Sequence, residues 1–258
     1  MEDKGFLNKL YDNNNEDSQN NQILTDELKN IFNICNKEKF LEISLYHSDF
    51  YKFFLDYFKE GSFISDDSYE ALLTYHFTKK DNKKINVYNY SFTPNKLSSL
   101  NINESYDFVF SSYGLSYENI YTILPQLIGF LKIDGILFIE LPAYWFFREN
   151  LNQYEKDILN YSKTNDKKWI FTEPIDQIIK ESGGNLLYLK EINNKKIVNR
   201  HKLSYLSSLN KLYKAHIENN IAVLEVANIP ENNIELRSAI LVVQKEKKTL
   251  TKNNLFNF

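Results

Sequence analysis

Cysteine, glycine and proline are all scarce in this sequence of 258 residues. Cys35 is its only cysteine, which excludes an internal disulfide and any zinc site built from several cysteines. The seven glycines and five prolines leave few residues that favour tight turns, whereas Asn, Lys, Ile, Phe and Tyr are abundant. This bias affects the whole composition, so a missing glycine is by itself weak proof that a glycine-dependent function has been lost.

Long apolar runs are absent as well. No run approaches the roughly 18 residues that a membrane-spanning helix needs, and the first residues are charged and rich in asparagine. The formal net charge of -3 gives no general attraction to nucleic acid or to anionic membranes. The four histidines lack the spacing of metal ligands, and the sequence contains no phosphate-binding loop. We therefore expect a soluble, cytoplasmic protein with no membrane span and no metal site.

The clearest pattern lies in residues 105 to 142. Residues 106–111 form an apolar run typical of a strand buried on both faces. Apolar residues at helical spacing follow, and Asp134 and Gly135 then favour a tight turn. Residues 136–141 predict a second buried strand that ends at Pro142, so the unit is strand, crossover helix, parallel strand. Pro125 lies inside the predicted helix and predicts either a kink or a helix that restarts there.

These residues, in this order, resemble the fourth and fifth strands of the class I S-adenosylmethionine-dependent methyltransferases. The shared features of YDFVFSS and LKIDGILFIELP are an Asp after an aromatic residue, a small polar end to the strand, and Leu-Lys-x-x-Gly before the next strand. Residues 167–184 are similar to the segment that precedes the sixth strand in many small-molecule methyltransferases. The resemblance spans about residues 38 to 245 and implies a Rossmann-like α/β fold, a seven-stranded mixed sheet with helices on both faces.

Other elements are predicted from local patterns. Strands are expected at 40–44, 62–66, 85–90, 186–192 and 237–244, the last of them as an antiparallel edge strand. Helices are expected at 24–37 with Thr25 as the cap, from Ser48 onward, and directly after Pro142. Cys35 lies on the apolar face of the first helix and is predicted to be a small buried residue. We expect a disordered segment at 1–21, a domain at 22–245 with an inserted helix at about 201–218, and a tail at 246–258.

The resemblance implies S-adenosylmethionine as the cofactor and assigns residues to bind it. Glu42 matches the family's acidic residue in the first strand, and Asp66 matches the acidic residue that holds the ribose, although a helix cap explains much of the same string. Ser44, Tyr46 and Ser48 stand where the family has glycines, and a Tyr side chain there would fill space that the cofactor needs. This departure predicts weak or absent cofactor binding. The candidate cofactor-binding residues are Glu42, Ser44, Tyr46, Asp66, Ser68, Asn89 and Ser111.

The fold that the resemblance implies also indicates where an acceptor would bind. Ligands of open α/β sheets bind at the carboxyl ends of the parallel strands. The candidate acceptor residues at these ends are Ser112, Tyr113, Tyr117 and Glu140, for which loop and helix-cap roles are the alternative. No catalytic residue can be assigned from the sequence.

Three functional hypotheses follow. The first is a methyltransferase that acts on an unknown acceptor, either a small molecule or a macromolecule. The second is an inactive methyltransferase fold that serves as a scaffold or assembly factor through protein or RNA contacts. The third is an RNA-contacting protein, because basic residues cluster around the inserted helix. These residues are Lys195, Lys196, Arg200, Lys202, Lys211 and Lys214.

Overall fold

The computed structural model describes residues 15–44, 50–65, 84–89, 105–112, 120–147, 149–151, 156, 174–198 and 234–247. Its helices are α1 (Asn15–Phe32), α2 (Phe50–Leu55), α3 (Ile120–Phe130) and α4 (Ile175–Glu181), with a 3-10 turn at Ala143–Trp145. Its strands are β1 (Lys39–Ser44), β2 (Glu60–Ser65), β3 (Lys84–Asn89), β4 (Tyr106–Ser112), β5 (Leu131–Pro142), β6 (Gly184–Val198) and β7 (Ile234–Lys245).

The strands of the described residues form one seven-stranded sheet in the order β3-β2-β1-β4-β5-β7-β6. Neighbouring strands from β3 to β5 are parallel, and β7 is antiparallel to both β5 and β6. This confirms the predicted mixed seven-stranded sheet. The strands predicted from apolar runs all overlap observed strands, although β5 begins five residues before its predicted start and β6 extends six residues beyond its predicted end.

Two apolar cores cover the two faces of the sheet. The α3 face packs against α3 and α4, and its strand residues include Leu41, Ile43, Val109, Leu137, Ile139, Leu241 and Val243. The α1 face packs against α1 and α2, and its strand residues include Phe40, Phe108, Phe110, Phe138, Ile240 and Val242. Successive side chains of a strand point to opposite faces, so the sequence alternates between the two cores.

The position of β7 corrects one prediction. We expected β7 to be the edge strand, but it lies between β5 and β6, and β6 forms the edge. The residues from Ala239 to Val243 are fully buried. An uninterrupted apolar run has side chains for both cores, which suits an interior strand, whereas an edge strand is commonly blunted by charges or bulges.

One helix prediction is also corrected, and two others are tested only in part. Helix α1 begins at Asn15, within the segment expected to be disordered, so Thr25 lies inside the helix and does not cap it. Helix α3 continues through the exposed Pro125 without restarting, because five buried apolar residues hold it against the sheet. The alternative of a kink at Pro125 stays a prediction. The chain directly after Pro142 forms a 3-10 turn at Ala143–Trp145, and most of the helix predicted to follow lies outside the described residues.

Cys35 lies in the core of the α1 face, which confirms its predicted structural role. Burial raises the pKa of its thiol to about 12. Since the thiolate is the reactive form, we expect a thiol-specific disulfide reagent at pH 8 to label the native protein roughly a hundredfold more slowly than the urea-unfolded protein. Equal labelling rates in the two states would contradict the buried position.

Strands β6 and β7 extend beyond the rest of the sheet. The pairing of β5 with β7 ends where Pro142 faces Ser238. The pairing of β6 with β7 continues beyond this point, from Lys195 opposite Arg237 to Val198 opposite Ile234. The predicted inserted helix at 201–218 lies outside the described residues. Among the helices that the structure describes, none is long and apolar enough to cross a membrane.

Candidate functional site

The strand order creates a crevice at one edge of the sheet. From β1 the chain builds outward through β2 and β3, and it then returns to add β4 and β5 on the other side of β1. The connections therefore leave β1 and β4 in opposite directions. In open α/β sheets, ligands bind at such a switch point, outside the carboxyl ends of the strands. The candidate site is therefore the carboxyl ends of β1 to β5.

Two buried polar residues lie at the switch point. Glu42 of β1 is fully buried and pairs in register with Phe110 of β4. Ser111 of β4 pairs with Ile43, is fully buried, and its Oγ has no hydrogen-bond partner among the described residues. A buried hydroxyl without a partner loses its hydrogen bond to water, so Ser111 is suited to a ligand that restores one.

A hydrogen-bonded pair lies on the neighbouring strands. The hydroxyl of Ser112, the last residue of β4, donates a hydrogen bond of 2.5 Å to Oε2 of Glu140 in β5. Glu140 is fully buried and Ser112 is partly exposed. So short a bond is typical of a hydroxyl that donates to a carboxylate. Ser112 therefore fixes the orientation of the Glu140 side chain at the edge of the sheet.

Aromatic residues lie on the same face of the sheet as this pair. Phe110 and Phe138 precede Ser112 and Glu140 by two residues in their strands and so share the α1 face with them. The rings of Phe110 and Phe138 stack with centroids 5.8 Å apart, and the partly exposed Phe50 lies 4.9 Å from Phe110. Phe50 and Phe110 were not among the residues predicted to form the site. Side chains alternate between the two faces along FVFSS, and this alternation could have shown that Phe110 lies on the same face as Ser112.

The motif that carries the family resemblance lies at the opposite end of the sheet. The buried carboxylate of Asp107 accepts hydrogen bonds from Lys39 N at 2.9 Å and from Lys132 Nζ at 2.8 Å. A Cβ on Gly135 would lie 2.9 Å from the carbonyl oxygens of Tyr106 and Lys132. Asp134 adopts φ of 64°, as the predicted tight turn requires. The Asp and the Leu-Lys-x-x-Gly run therefore join β1, β4 and β5 and do not form the candidate site.

The described candidates lie at one edge of the sheet. Ser44 and Asn89 end β1 and β3, and both are in register with Ser65 of β2. Glu42, Ser112 and Glu140 lie on the α1 face by alternation, and Ser111 lies on the α3 face. The remaining candidates lie outside the described residues: Tyr46, Asp66, Ser68, Tyr113 and Tyr117. The basic residues Arg200, Lys202, Lys211 and Lys214 also lie outside them.

No protein-family model matches the sequence, and no curated protein matches it. Solved structures do match. A putative sarcosine dimethylglycine methyltransferase from Galdieria sulphuraria superposes with a TM-score of 0.54 at 15% identity, covering 88% of this chain and 86% of that chain. The N-methyltransferase NodS from Bradyrhizobium japonicum superposes with a TM-score of 0.52 at 10% identity, covering 92% and 99%. The chain has the class I methyltransferase fold.

This fold assignment rests on strand order and direction, because sequence identity is low. The antiparallel β7 between β5 and β6 completes the methyltransferase sheet that the resemblance implied. The polar residues of the site lie on β1, β4 and β5. These strands are separated in the sequence, and the methyltransferase fold brings their carboxyl ends together.

Proposed function

We propose that this protein is an S-adenosylmethionine-dependent methyltransferase whose acceptor is unknown. The observation that carries the proposal is the buried hydroxyl of Ser111, which has no hydrogen-bond partner among the described residues and lies at the switch point of a methyltransferase sheet, on the strand next to Glu42. Burying a hydroxyl without a partner is unfavourable. A stabilising role alone would be served better by an apolar residue, so a ligand is the simpler reason for the presence of Ser111 at this edge.

The described residues fit this cofactor. Glu42 adds a negative charge near the crevice, which suits the positively charged sulfur and amino group of S-adenosylmethionine. Ser111 can donate or accept a hydrogen bond. When bound, S-adenosylmethionine supplies a methyl group on a positively charged sulfur. The residues of the chain then bind the two reactants, orient them and exclude water, which is the main requirement of an in-line displacement.

Further residues complete the proposed site. Ser44 and Asn89 at the ends of β1 and β3 are proposed to line the nucleoside side of the crevice, as are Tyr46, Asp66 and Ser68. The residues proposed to line the acceptor side are Ser112, Tyr113, Tyr117 and Glu140.

An RNA contact through Lys195, Lys196 and the other basic residues stays a prediction. A steep loss of RNA binding with added salt would support it.

Isothermal titration calorimetry with S-adenosylmethionine tests the proposed function directly. At tens of micromolar protein, an active enzyme should bind the cofactor with a micromolar dissociation constant. Absence of heat from folded protein would instead agree with the weak binding that Tyr46 predicts and would favour the inactive scaffold. S-adenosylhomocysteine should bind in the same experiment, because it keeps the nucleoside and amino-acid groups.

Ser111→Ala separates a ligand role from a structural one. Because the Ser111 hydroxyl makes no hydrogen bond among the described residues, its removal should leave thermal stability unchanged or slightly higher. The dissociation constant for S-adenosylmethionine should rise roughly fivefold to tenfold, as expected for one lost hydrogen bond.

Ser62→Ala is the matched control. Ser62 is equally buried, but its Oγ accepts a hydrogen bond of 3.0 Å from the hydroxyl of Tyr106. Its removal should lower stability by about 1 to 3 kcal/mol, because a buried hydroxyl loses its partner, and should leave cofactor affinity unchanged. If Ser111→Ala loses stability and keeps its affinity, Ser111 is structural.

A further inference from the structure

Phe50 lies at the switch point of the sheet. Helix α2 begins at Phe50, and only five residues separate it from the end of β1 at Ser44. The ring of Phe50 packs against β4, where its centroid lies 4.9 Å from the ring centroid of Phe110. Phe110 is in register with Glu42 of β1 and directly precedes Ser111. Phe50 therefore lies beside the junction of β1 and β4 at the carboxyl edge, where the proposed cofactor site lies.

The exposure of Phe50 differs from that of the rings it contacts. Phe54 and Phe110, whose ring centroids lie 6.1 Å and 4.9 Å from that of Phe50, are fully buried. Phe50 itself is partly exposed. Phe53 of the same helix is also partly exposed, but its ring stacks on Phe32 of α1, with centroids 5.7 Å apart. Of these two partly exposed rings, Phe50 is therefore the one that borders the crevice.

The strand ends around Phe50 suit a positively charged group of a ligand. The face of an aromatic ring carries a partial negative charge and attracts cations, and it offers no such attraction to an anion. The last three residues of each strand from β1 to β5 include no lysine or arginine. The described strand ends therefore offer an aromatic face and no basic side chain, which favours a cation over a phosphate or a carboxylate.

The cofactor and its by-product differ in this respect. S-adenosylmethionine carries a positive charge on its sulfur, whereas S-adenosylhomocysteine has a neutral sulfur. The charge and the methyl group are the only differences between the two molecules. A ring at this position can therefore distinguish them.

We propose that the ring face of Phe50 binds the positively charged sulfur of S-adenosylmethionine, so that the site prefers the cofactor to its neutral by-product. Phe50 is a specificity-determining residue, and the loss of charge on methyl transfer favours release of the by-product. This inference rests on the proposed function, because it requires the cofactor to bind at this edge of the sheet.

Calorimetry with the two ligands tests the inference without a known acceptor. At the same pH and salt concentration, the parent protein should bind S-adenosylmethionine roughly fivefold to tenfold more tightly than S-adenosylhomocysteine. This ratio is expected for one contact between a cation and an aromatic ring in a partly buried site. Equal dissociation constants in the parent overturn the inference.

Phe50→Leu should remove this preference. Leucine keeps an apolar surface for the methyl group but has no aromatic face, so the variant should bind the two ligands within about twofold of each other. Phe50→Tyr keeps the ring and should keep the preference. A ring that only supports the fold would affect both ligands by the same factor, so an unchanged ratio of the two constants in Phe50→Leu overturns the inference.

Phe53→Leu is the matched control, because it makes the same change in the same helix at a ring that packs on α1. It should lower thermal stability and leave the ratio of the two dissociation constants at the parent value. A ratio that falls as far in Phe53→Leu as in Phe50→Leu also overturns the inference. If Phe50→Leu does not fold, Phe50→Met replaces it, because methionine also lacks a ring. Failure of both ligands to bind the folded parent refutes the proposed function itself, which is a distinguishable result.

Discussion

Gly135→Ala should destabilise the protein by about 2 kcal/mol or more, because a side chain at this position meets backbone atoms. A Cβ there would lie 2.9 Å from the carbonyl oxygens of Lys132 and Tyr106 and 3.3 Å from that of Asp107. None of these atoms belongs to a flexible side chain, so β4 or β5 must shift to relieve the contact. Urea unfolding should show a lower midpoint with an unchanged slope.

Gly129→Ala is the matched control for this change. Gly129 lies near the end of α3, where an added Cβ would meet nothing within 4 Å. Alanine there should stabilise the protein by about 0.5 to 1 kcal/mol, because it lowers the conformational entropy of the unfolded chain. If the two variants shift the urea midpoint equally, the close approach of the backbone at Gly135 is not the cause.

Asp107→Ala should lower the free energy of unfolding by about 2 to 3 kcal/mol. The Asp107 carboxylate accepts hydrogen bonds from Lys39 N and Lys132 Nζ and so joins the start of β1 to β4 and β5. Its side chain is 4% exposed, so water cannot replace the lost acceptor for the Lys39 amide. Urea unfolding measures the change, and cofactor binding to the folded variant should stay at the parent value.

Glu38→Ala provides the comparison. Glu38 pairs with Lys59 at 2.7 Å, a distance similar to that between Lys132 and Asp107, but both partners are well exposed. Exposed ion pairs contribute little, so the variant should change stability by less than about 0.5 kcal/mol. A loss as large as that of Asp107→Ala would show that distance, and not burial, decides the effect.

Both residues belong to the segment that resembles the methyltransferases. Gly135 and Asp107 stabilise the junction of β4 and β5 at the amino end of the sheet, far along the strands from Ser111, Ser112 and Glu140. These two residues of the resemblance therefore indicate the fold and do not bear on the cofactor. This explains why the fold could be predicted from a sequence whose cofactor loop departs from the family pattern.

The sequence by itself determined the central unit of the protein. The apolar runs of β4 and β5 and the helical spacing of α3 depend on burial within one segment, and local patterns report such burial directly. The alternation of Phe40, Phe108, Phe110 and Phe138 likewise specified one aromatic core. Glu42 could be selected because it matches the family's acidic residue in the first strand, and Ser111 because it lies at the carboxyl end of a predicted strand.

Only the tertiary structure decided how distant segments meet. The pairing of Ser112 with Glu140 depends on the register between β4 and β5, which the bulge after Tyr106 shifts and which no local pattern specifies. The hydrogen bond from Lys39 N to Asp107 joins residues 68 positions apart. The position of β7 inside the sheet depends on which neighbours bury both of its faces. Register and neighbours are set by contacts between strands, and these contacts form only when the whole sheet assembles.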